Sequence, residues 1–215
     1  MHVEKLEQSL SESRLNSLRM QLDPHSLIVD YLSCGRECQN SRMSEKQIEI
    51  MDAAERRIRT AGYNGFSFRD IASDVGVKSS SIHYYFPAKE DLGVAVARRY
   101  RERFFEGLRD LSGSPETRLR AAYGKAMEKD GQMCLCGVLG TASAFLPAQV
   151  ALEAKQFFNC ALDFLLSDSK LTSRKGRDWA LQILALLEGA MMLALALGDA
   201  DAFRKATRSL PPQPQ

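Results

Sequence analysis

The chain has 215 residues, with 29 Lys and Arg against 27 Asp and Glu, so its formal net charge is only +2. Hydrophobic residues make up 45% and charged residues 26% of the sequence. These are the proportions of globular proteins, and they exclude a disordered or collagen-like chain for the bulk of the sequence. Taken over the whole chain, the nearly neutral charge balance does not indicate a nucleic-acid partner.

The cysteine content and the apolar segments bear on location. The five cysteines are an odd number and too few for a disulfide-rich secreted fold. The polar first 16 residues, with three glutamates, lack the pattern of a signal peptide. The most apolar stretch, residues 180–197, is interrupted by Glu188, whose charge would be costly in a bilayer. We therefore expect a cytoplasmic protein with no membrane partner, in which this stretch is a buried helix.

Residues 1–42 are only weakly patterned. Leucines recur at roughly helical spacing until a proline, and the segment from Cys34 to Cys38 is predicted to be a loop. Met43 resembles a natural chain start, because Ser44 is a good helix N-cap. We expect residues 1–42 to be an extension that is either mobile or the result of an upstream start-site choice.

Apolar residues at helical spacing predict four helices in the next part of the chain, where strand signals are nearly absent. Gly62 is a C-terminal stop for the first helix, Ser67 is a cap for the second, and Pro87 ends the third. The first three helices are predicted at residues 44–62, 66–76 and 78–85, and the fourth starts at residue 89.

The segment from Ser67 to Leu92 has the spacing of a helix-turn-helix, in which a tight turn joins two short helices. Gly76 suits the turn because glycine adopts a positive φ without steric cost. Ile71 and Ile82 are apolar where two crossed helices must pack. The later of the two helices, predicted at residues 78–85, then presents a lysine and several hydroxyl groups outward, as docking in a DNA groove requires. The alternative interpretation is an ordinary solvated turn in an all-helical protein.

Three strings in this segment carry a wider signal: Phe66-Ser-Phe-Arg-Asp-Ile-Ala72, Val75-Gly-Val77 and Ile82-His-Tyr-Tyr-Phe-Pro-Ala-Lys-Glu-Asp-Leu92. Together they resemble the TetR family of transcriptional regulators, and the match runs continuously from the first predicted helix into the fourth. The resemblance implies a homodimer, usually a repressor, that binds a double-stranded DNA operator. It also implies that a small molecule bound by the C-terminal domain releases the operator, and it implies no cofactor.

The resemblance further implies which residues contact DNA. Ser67 takes the position of the hydroxyl that caps the second helix and touches a phosphate, and Lys89 that of a phosphate-binding lysine. The start of the third helix corresponds to the base-reading positions of the family, and its tyrosines to positions that contact the backbone and a thymine methyl. The DNA-contact candidates are Ser67, Lys78, Ser79, Ser80, Ser81, Tyr84, Tyr85 and Lys89.

Two positions depart from the family's common pattern. Lys78 stands where the family often has serine, and His83 stands where it commonly has tyrosine. Both departures bear on the operator sequence rather than on the fold. We expect His83 to be a packed or hydrogen-bonded helix residue rather than a reader of bases.

Charge is unevenly distributed along the predicted DNA-binding segment. Residues 78–109 contain seven basic side chains against four acidic ones. This excess predicts a modestly basic face on the side of the recognition helix. A dimer would double that face, so a modest excess is enough for binding to phosphates.

The second half of the chain has helical patterning but little motif content. A Ser-Gly-Ser loop at residues 112–114 marks its start. Helices are predicted at residues 115–130, 133–146, 148–167, 173–197 and 199–209. The predicted fold is therefore all-α, with a mobile or artefactual extension (1–42), a three-helix helix-turn-helix domain with a linking helix (43–110), a larger ligand-binding and dimerisation domain (111–210) and a Pro-rich tail (211–215).

The two longest apolar helices of this half have too much apolar circumference for one neighbour to cover. A four-helix interface across a two-fold axis would bury the surplus, which predicts a homodimer. Within the same half we expect a mostly apolar ligand pocket between helices. Glu188 must be paired there, face a cavity or lie at a subunit edge. The pocket candidates are Phe104, Tyr123, Met127, Met133, Phe145, Trp179, Glu188 and Met191.

Cys134 and Cys136 lie close together in this half and invite two interpretations. Soft-metal sites require three or four ligands, and this half has no histidine and one further thiol, so we predict no metal site. The second interpretation is a sensor of oxidants or electrophiles. A helix N-terminus lowers a thiol pKa, so Cys134, the nearer of the two to the predicted helix start, is the candidate sensor thiol. A buried, inert cysteine is the alternative.

Two further classes of function compete with a DNA-binding regulator. A helical-bundle enzyme is disfavoured, because the sequence has no metal-ligating or triad-like set and no Gly-rich phosphate loop. We therefore predict that the protein is not an enzyme. An activator or an interaction module that keeps the helix-turn-helix fold stays open at this point.

Overall fold

The computed structural model of the protein describes residues 43–167 and 173–214. The predictions for residues 1–42, including the loop from Cys34 to Cys38, lie outside the described residues. Within the described ranges all regular structure is helical, which confirms the predicted all-α fold class. The helices are α1 (Glu45–Ala61), α2 (Phe68–Asp74), α3 (Ser79–Tyr85), α4 (Lys89–Arg109), α5 (Pro115–Asp130), α6 (Leu135–Thr141), α7 (Ala148–Leu165), α8 (Arg174–Leu197) and α9 (Ala200–Ala206).

The starts of α1 and α2 are set by side chains that cap them. Ser44 accepts a hydrogen bond from the backbone N–H of Gln47, and the Gln47 side chain accepts one from the backbone of Ser44. Ser67 and Asp70 form the same reciprocal arrangement at α2, which confirms the predicted cap. Such boxes satisfy two backbone donors that have no partner inside the helix. Gly76, in the α2–α3 turn, has φ 67°, a conformation that favours glycine.

The first four helices share one apolar core. Ile50 and Ile58 of α1, Ile71 of α2, Ile82 of α3 and Leu92 of α4 are all without solvent exposure. Helix α1 packs on α2 and α4, and α2 packs on α3. Burial of branched side chains at about 1.5–3 kcal/mol each is the main force that holds α3 against α2.

The C-terminal half surrounds a cluster of aromatic rings. Phe104 of α4 lies 5.5 Å from the ring of Tyr123 in α5 and 5.1 Å from that of Phe157 in α7, and both pairs meet edge to face. Helix α8 packs on α5, α7 and α9. It is also the one described helix that is long and apolar enough to cross a membrane, a test that core helices of soluble proteins also pass.

Two predicted segments of this half differ from the structure. The helix predicted at 133–146 is shorter, because Cys134 caps α6 with its Sγ accepting from the N–H of Gly137. After α6 the chain makes a separate 3₁₀ turn at Ser143–Phe145. The last helix ends at Ala206 rather than at 209, and the chain beyond it is held by the indole Nε1–H of Trp179, which donates to Pro211 O over 2.9 Å.

Candidate nucleic-acid interface and ligand cavity

Helix α3 presents one face inward and one face outward. Ile82 is buried without exposure, whereas Tyr84 is 81% exposed. Lys78 and Ser80 are exposed and lie at the start of α3, where no side chain caps the backbone N–H groups. The ring of Tyr84 meets that of Tyr85 edge to face at 5.0 Å. The outward face therefore offers an ammonium group, hydroxyl groups and free backbone donors to a partner with acceptor groups.

Ser67 lies at the exposed N-terminus of α2. Its Oγ donates to Asp70 Oδ2 over 2.7 Å and accepts from the Asp70 N–H at 3.3 Å. The donated hydrogen bonds from Ser67 lower the pKa of Asp70. The hydroxyl that the family resemblance assigns to a phosphate contact therefore already donates its single proton within the cap.

The side chain of Lys89 is more enclosed than that of a lysine that is free to bind a phosphate. Its Nζ donates to Phe66 O at 2.7 Å and lies 4.4 Å and 4.8 Å from the ring centroids of Phe66 and Tyr63. Burial lowers the pKa of Lys89, although Asp70 acts in the opposite direction. Lys89 therefore connects the start of α4 to the chain that enters α2. One N–H of its ammonium group is used by Phe66 O, and a phosphate contact by the other N–H groups stays a prediction.

His83 occupies the kind of position that was expected for it. Its Nδ1 lies 3.2 Å from Pro87 O, and its ring meets Phe68 edge to face at 4.7 Å. These contacts fix the ring on the outer side of the α2–α3 unit. His83 is therefore an exposed helix residue that is held by a hydrogen bond and one ring contact.

The predicted basic face needs correction, because most of its arginines lie in α4 and are engaged elsewhere. Arg98 donates to Glu153 of α7 at 2.8 Å, and Arg101 pairs with the same carboxylate at 3.2 Å. Arg99 and Arg103 pair with acidic residues of α1. The sequence count of seven basic residues therefore overstates the charge available beside α3, where Lys78 is exposed. Chain position alone carries no information on which charges pair across helices.

A cavity of about 830 Å³ opens between α6, α7 and α8. We call it the α6–α8 cavity. Its walls are mostly small and apolar, with Gly137 and Gly140 from α6 and Ala151 and Phe158 from α7. Its size is that of a drug-sized ligand site. Polar side chains on its lining include Glu188, Lys155, Thr141 and Ser143.

Two of the eight predicted pocket residues, Met133 and Glu188, line this cavity. The other six do not, and the reason is local packing. Phe104 and Tyr123 belong to the aromatic cluster, Met191 is fully buried, Met127 packs on the core, Phe145 is 84% exposed, and Trp179 is directed to the C-terminal tail. Sequence reasoning selected large side chains and so missed the small ones, since Gly and Ala leave the space that a cavity needs. The six predicted pocket residues that lie outside the lining of the α6–α8 cavity are Phe104, Tyr123, Met127, Phe145, Trp179 and Met191.

Glu188 joins the cavity wall to the interior. Its Oε1 accepts a hydrogen bond from the Tyr123 hydroxyl at 2.8 Å. Its Oε2 is buried and has no hydrogen-bond partner among the described residues, although the Cys134 thiol is near. Burial raises the pKa of Glu188, while Tyr123 and Cys134 lower it by smaller amounts. Of the positions expected for this residue, the structure shows the one that faces a cavity.

Cys134 lies at the N-terminus of α6, near the helix start as the sequence predicted, and caps it. The expected lowering of its thiol pKa is wrong. The thiol is buried, and burial together with the neighbouring Glu188 raises its pKa well above the ordinary value. The N–H of Gly137 acts in the opposite direction and does not outweigh them. Cys136 is also buried with a raised pKa. Desolvation exceeds the helix effect here, so the thiolate is disfavoured.

Arg59 of α1 connects the two halves of the protein and was not singled out from the sequence. Its Nε donates to Met133 O at 2.7 Å and its Nη2 to Gln132 O at 3.2 Å. Met133 lines the α6–α8 cavity. A buried guanidinium thus holds the backbone at one edge of the cavity against the helix that supports α2. An arginine among apolar positions of α1 was the available sequence signal.

The comparisons with known proteins decide the family. The sequence model of the family described as bacterial regulatory proteins, tetR family, matches residues 50–96. A TetR transcriptional regulator from Legionella pneumophila is 30% identical, and the match covers 78% of this chain and 96% of that one with a TM-score of 0.70. This chain belongs to the TetR family. It is therefore a transcriptional regulator with a helix-turn-helix DNA-binding domain, and the predicted family is confirmed.

Other solved structures have the same fold. A TetR-family regulator from Agrobacterium tumefaciens is 30% identical, covering 76% of this chain and 94% of that one with a TM-score of 0.69. The reduced form of NemR from Escherichia coli is 19% identical and covers 78% and 99% of the two chains with a TM-score of 0.63, a likeness of fold alone. No curated protein matches the sequence significantly.

Proposed function

We propose that this TetR-family regulator is a cytoplasmic, homodimeric repressor, not an enzyme, that binds a palindromic operator through α3. The observation that carries the proposal is the outward face of α3, where Lys78, Ser80 and Tyr84 are exposed while Ile82 anchors the helix. Phosphate contacts would set the register, and the start of α3 would read base edges. Ser79, Ser81 and Tyr85, which are partly buried, complete the proposed contact set with Ser67 and Lys89.

The proposed dimer uses the exposed apolar residues of α7 and α8. Leu152 of α7 is 43% exposed, and large apolar side chains of α8 are exposed along the same helix pair. Several exposed large apolar side chains on two neighbouring helices are typical of a protein interface. Two copies related by a two-fold axis would place two α3 helices on successive major grooves. The exposed residues of α8 are Leu181, Met192, Leu193, Leu195 and Leu197.

The α6–α8 cavity is the proposed effector site, and Arg59 is the proposed link to the DNA-binding domain. An effector can change operator affinity only if it binds two arrangements of the protein differently. Movement of the backbone at Gln132 and Met133 would act directly on α1 through Arg59. From α1 the contact continues to α2 through Arg57, which holds Asp74 in a two-pronged ion pair.

We propose a reversibly bound effector rather than a thiol-reactive one. The buried Cys134, with its raised pKa, is a poor nucleophile. Treatment of the wild type and of Cys134→Ser with N-ethylmaleimide distinguishes a reversibly bound effector from a thiol-reactive one. Equal operator binding by both proteins after treatment supports the reversible effector. Release from the wild type alone would restore Cys134 as the sensor.

Operator binding is tested by fluorescence anisotropy with DNA from upstream of the protein's own gene. Lys78→Ala is expected to weaken binding and, because it removes a positive charge that lies beside the phosphates, to lower the salt slope by about one. Lys125→Ala removes an equally exposed lysine from α5 and is the matched control. Equal affinity for upstream and scrambled DNA would contradict sequence-specific binding. A reporter whose output rises with the protein present would indicate an activator.

A further inference from the structure

The carboxyl group of Glu188 stands out among the charged side chains of the described ranges. It lines the α6–α8 cavity, and its side chain is otherwise enclosed by the interior. One oxygen has the Tyr123 hydroxyl as its partner; the other has no N–H or O–H partner among the described residues and lies near the Cys134 thiol. A buried carboxyl normally has its lone pairs satisfied or a cation beside it.

Within residues 43–167 and 173–214, no basic side chain forms an ion pair with Glu188. The cavity does contain a lysine, Lys155, but it is exposed and forms no ion pair with this carboxyl. The nearest polar neighbours are neutral hydroxyl and thiol groups, Tyr123 and Cys134. This environment favours the protonated acid in the empty cavity, and a cation placed beside it would favour the carboxylate instead.

The opposite wall leaves room for this carboxyl. A methyl group at Gly137 would collide with Glu188 Oε2. Glycine at that position therefore lets the carboxyl lie against α6. Apolar residues such as Ala151, Phe158 and Met192 make up most of the rest of the lining, beside the polar side chains of Lys155, Thr141 and Ser143.

We propose that the effector is an organic cation, an amine on an apolar body, whose nitrogen pairs with Glu188 while the apolar part fills the α6–α8 cavity. This inference depends on the proposed effector function of the cavity. It is argued from charge complementarity: an apolar cavity with one cation-free carboxyl selects a ligand that brings the missing charge. An anion would instead meet Lys155, and a neutral alcohol would gain a hydrogen bond without the ion pair.

Three matched probes distinguish these classes: 1-naphthylmethylamine, 1-naphthalenemethanol and 1-naphthoate, each measured by calorimetry on the full chain. The same three head groups on biphenyl and decyl bodies allow for ligand shape. We expect the amines to bind at least tenfold more tightly than the alcohols, a ratio that corresponds to about 1.4 kcal/mol. Failure of all three amines to bind, or equal binding of amine and alcohol, overturns the proposal.

Glu188→Gln is the central variant, because the amide keeps an oxygen for Tyr123 and removes the charge. Amine affinity is expected to fall at least tenfold, and alcohol affinity to stay within threefold. Gly137→Ala, which displaces the carboxyl without removing it, should reduce amine binding in the same direction. Lys125→Ala, at an exposed site of α5 outside the lining of the cavity, should leave amine binding unchanged. If the carboxylate probes instead bind most tightly and lose affinity in Lys155→Ala, the effector is an organic anion rather than a cation.

Direct binding and operator release are measured separately, so the two proposals can fail separately. Glu188-dependent amine binding without operator release would support the ligand class and contradict the effector role. Release by the neutral probes alone would support the effector role and contradict the cation. Thermal unfolding of each variant shows that its fold is retained.

Discussion

The two halves of this regulator, α1 to α4 and α5 to α9, differ in how their charged side chains are paired. Around α1 to α4 several charges pair between helices, as for Arg57 with Asp74. In the other half no cation pairs with Glu188 among the residues that the structure describes. The first arrangement stabilises a fixed shape that DNA can read. The second leaves a charge requirement that a ligand can satisfy, so the difference separates recognition by a surface from recognition by a cavity.

Disruption of the ion pairs where the two halves meet has the largest expected effect. Glu153 is buried in α7 and pairs with Arg98 and Arg101 of α4. Glu153→Gln removes a buried negative charge that pairs with two arginines, so we expect the free energy of unfolding in urea to fall by about 3 kcal/mol. Glu128→Gln, at an exposed site in α5, is the control. A loss no larger than that of the control would contradict a structural role for this pair.

The Arg59 contact comes next in expected size. Arg59→Gln removes the guanidinium donors to Met133 and Gln132, and we expect a loss of about 2 kcal/mol in urea unfolding. Any effector that binds the cavity should then change operator affinity less than in the wild type. Arg56→Gln, an exposed arginine on the same helix, should leave both quantities unchanged. Full effector response in Arg59→Gln would show that coupling takes another route.

The two lysines beside the recognition helix offer a smaller and sharper contrast. Lys89 is bound to Phe66 O and two rings, so Lys89→Ala should lower stability by about 1–2 kcal/mol. Lys78 is exposed at the start of α3, so Lys78→Ala should leave stability unchanged and weaken operator binding. Chemical unfolding and anisotropy on both variants separate the roles. Equal stability losses would show that Lys78 is also structural.

The same contrast explains what the sequence could predict. Caps and turns are local, so Ser67, Gly76 and the helix bounds of the DNA-binding half could be read from neighbouring residues. Cavity walls and ion pairs depend on which helices meet, and no local signal marks Gly137 as the neighbour of Glu188. For the same reason the α4 arginines, counted as a basic face, are paired with acids distant in the chain. The thiol pKa of Cys134 is raised rather than lowered, because the burial that raises it depends on packing from several helices.

The smallest expected effect concerns the pH dependence of stability at Glu188. Its pKa is raised in the folded protein by burial, so the folded state binds the proton more tightly than the unfolded state does. The stabilisation that follows is present below the ordinary pKa of glutamate and is lost as pH rises through the raised value. Glu188→Gln does not titrate, and we expect it to be more stable than the wild type at pH 8 by roughly 1 kcal/mol.

That stability difference should shrink as pH falls towards the ordinary pKa of glutamate. The other titratable groups around this carboxyl, namely Tyr123, Cys134 and the cavity lysine Lys155, are present in both proteins and cancel in the comparison. Urea unfolding of the two proteins across this pH range measures the difference directly. A constant difference would mean that the pKa of Glu188 is the same in the folded and the unfolded protein. An amine probe at saturating concentration should reverse the sign at pH 8, because it binds the protein that keeps the carboxylate at least tenfold more tightly than Glu188→Gln.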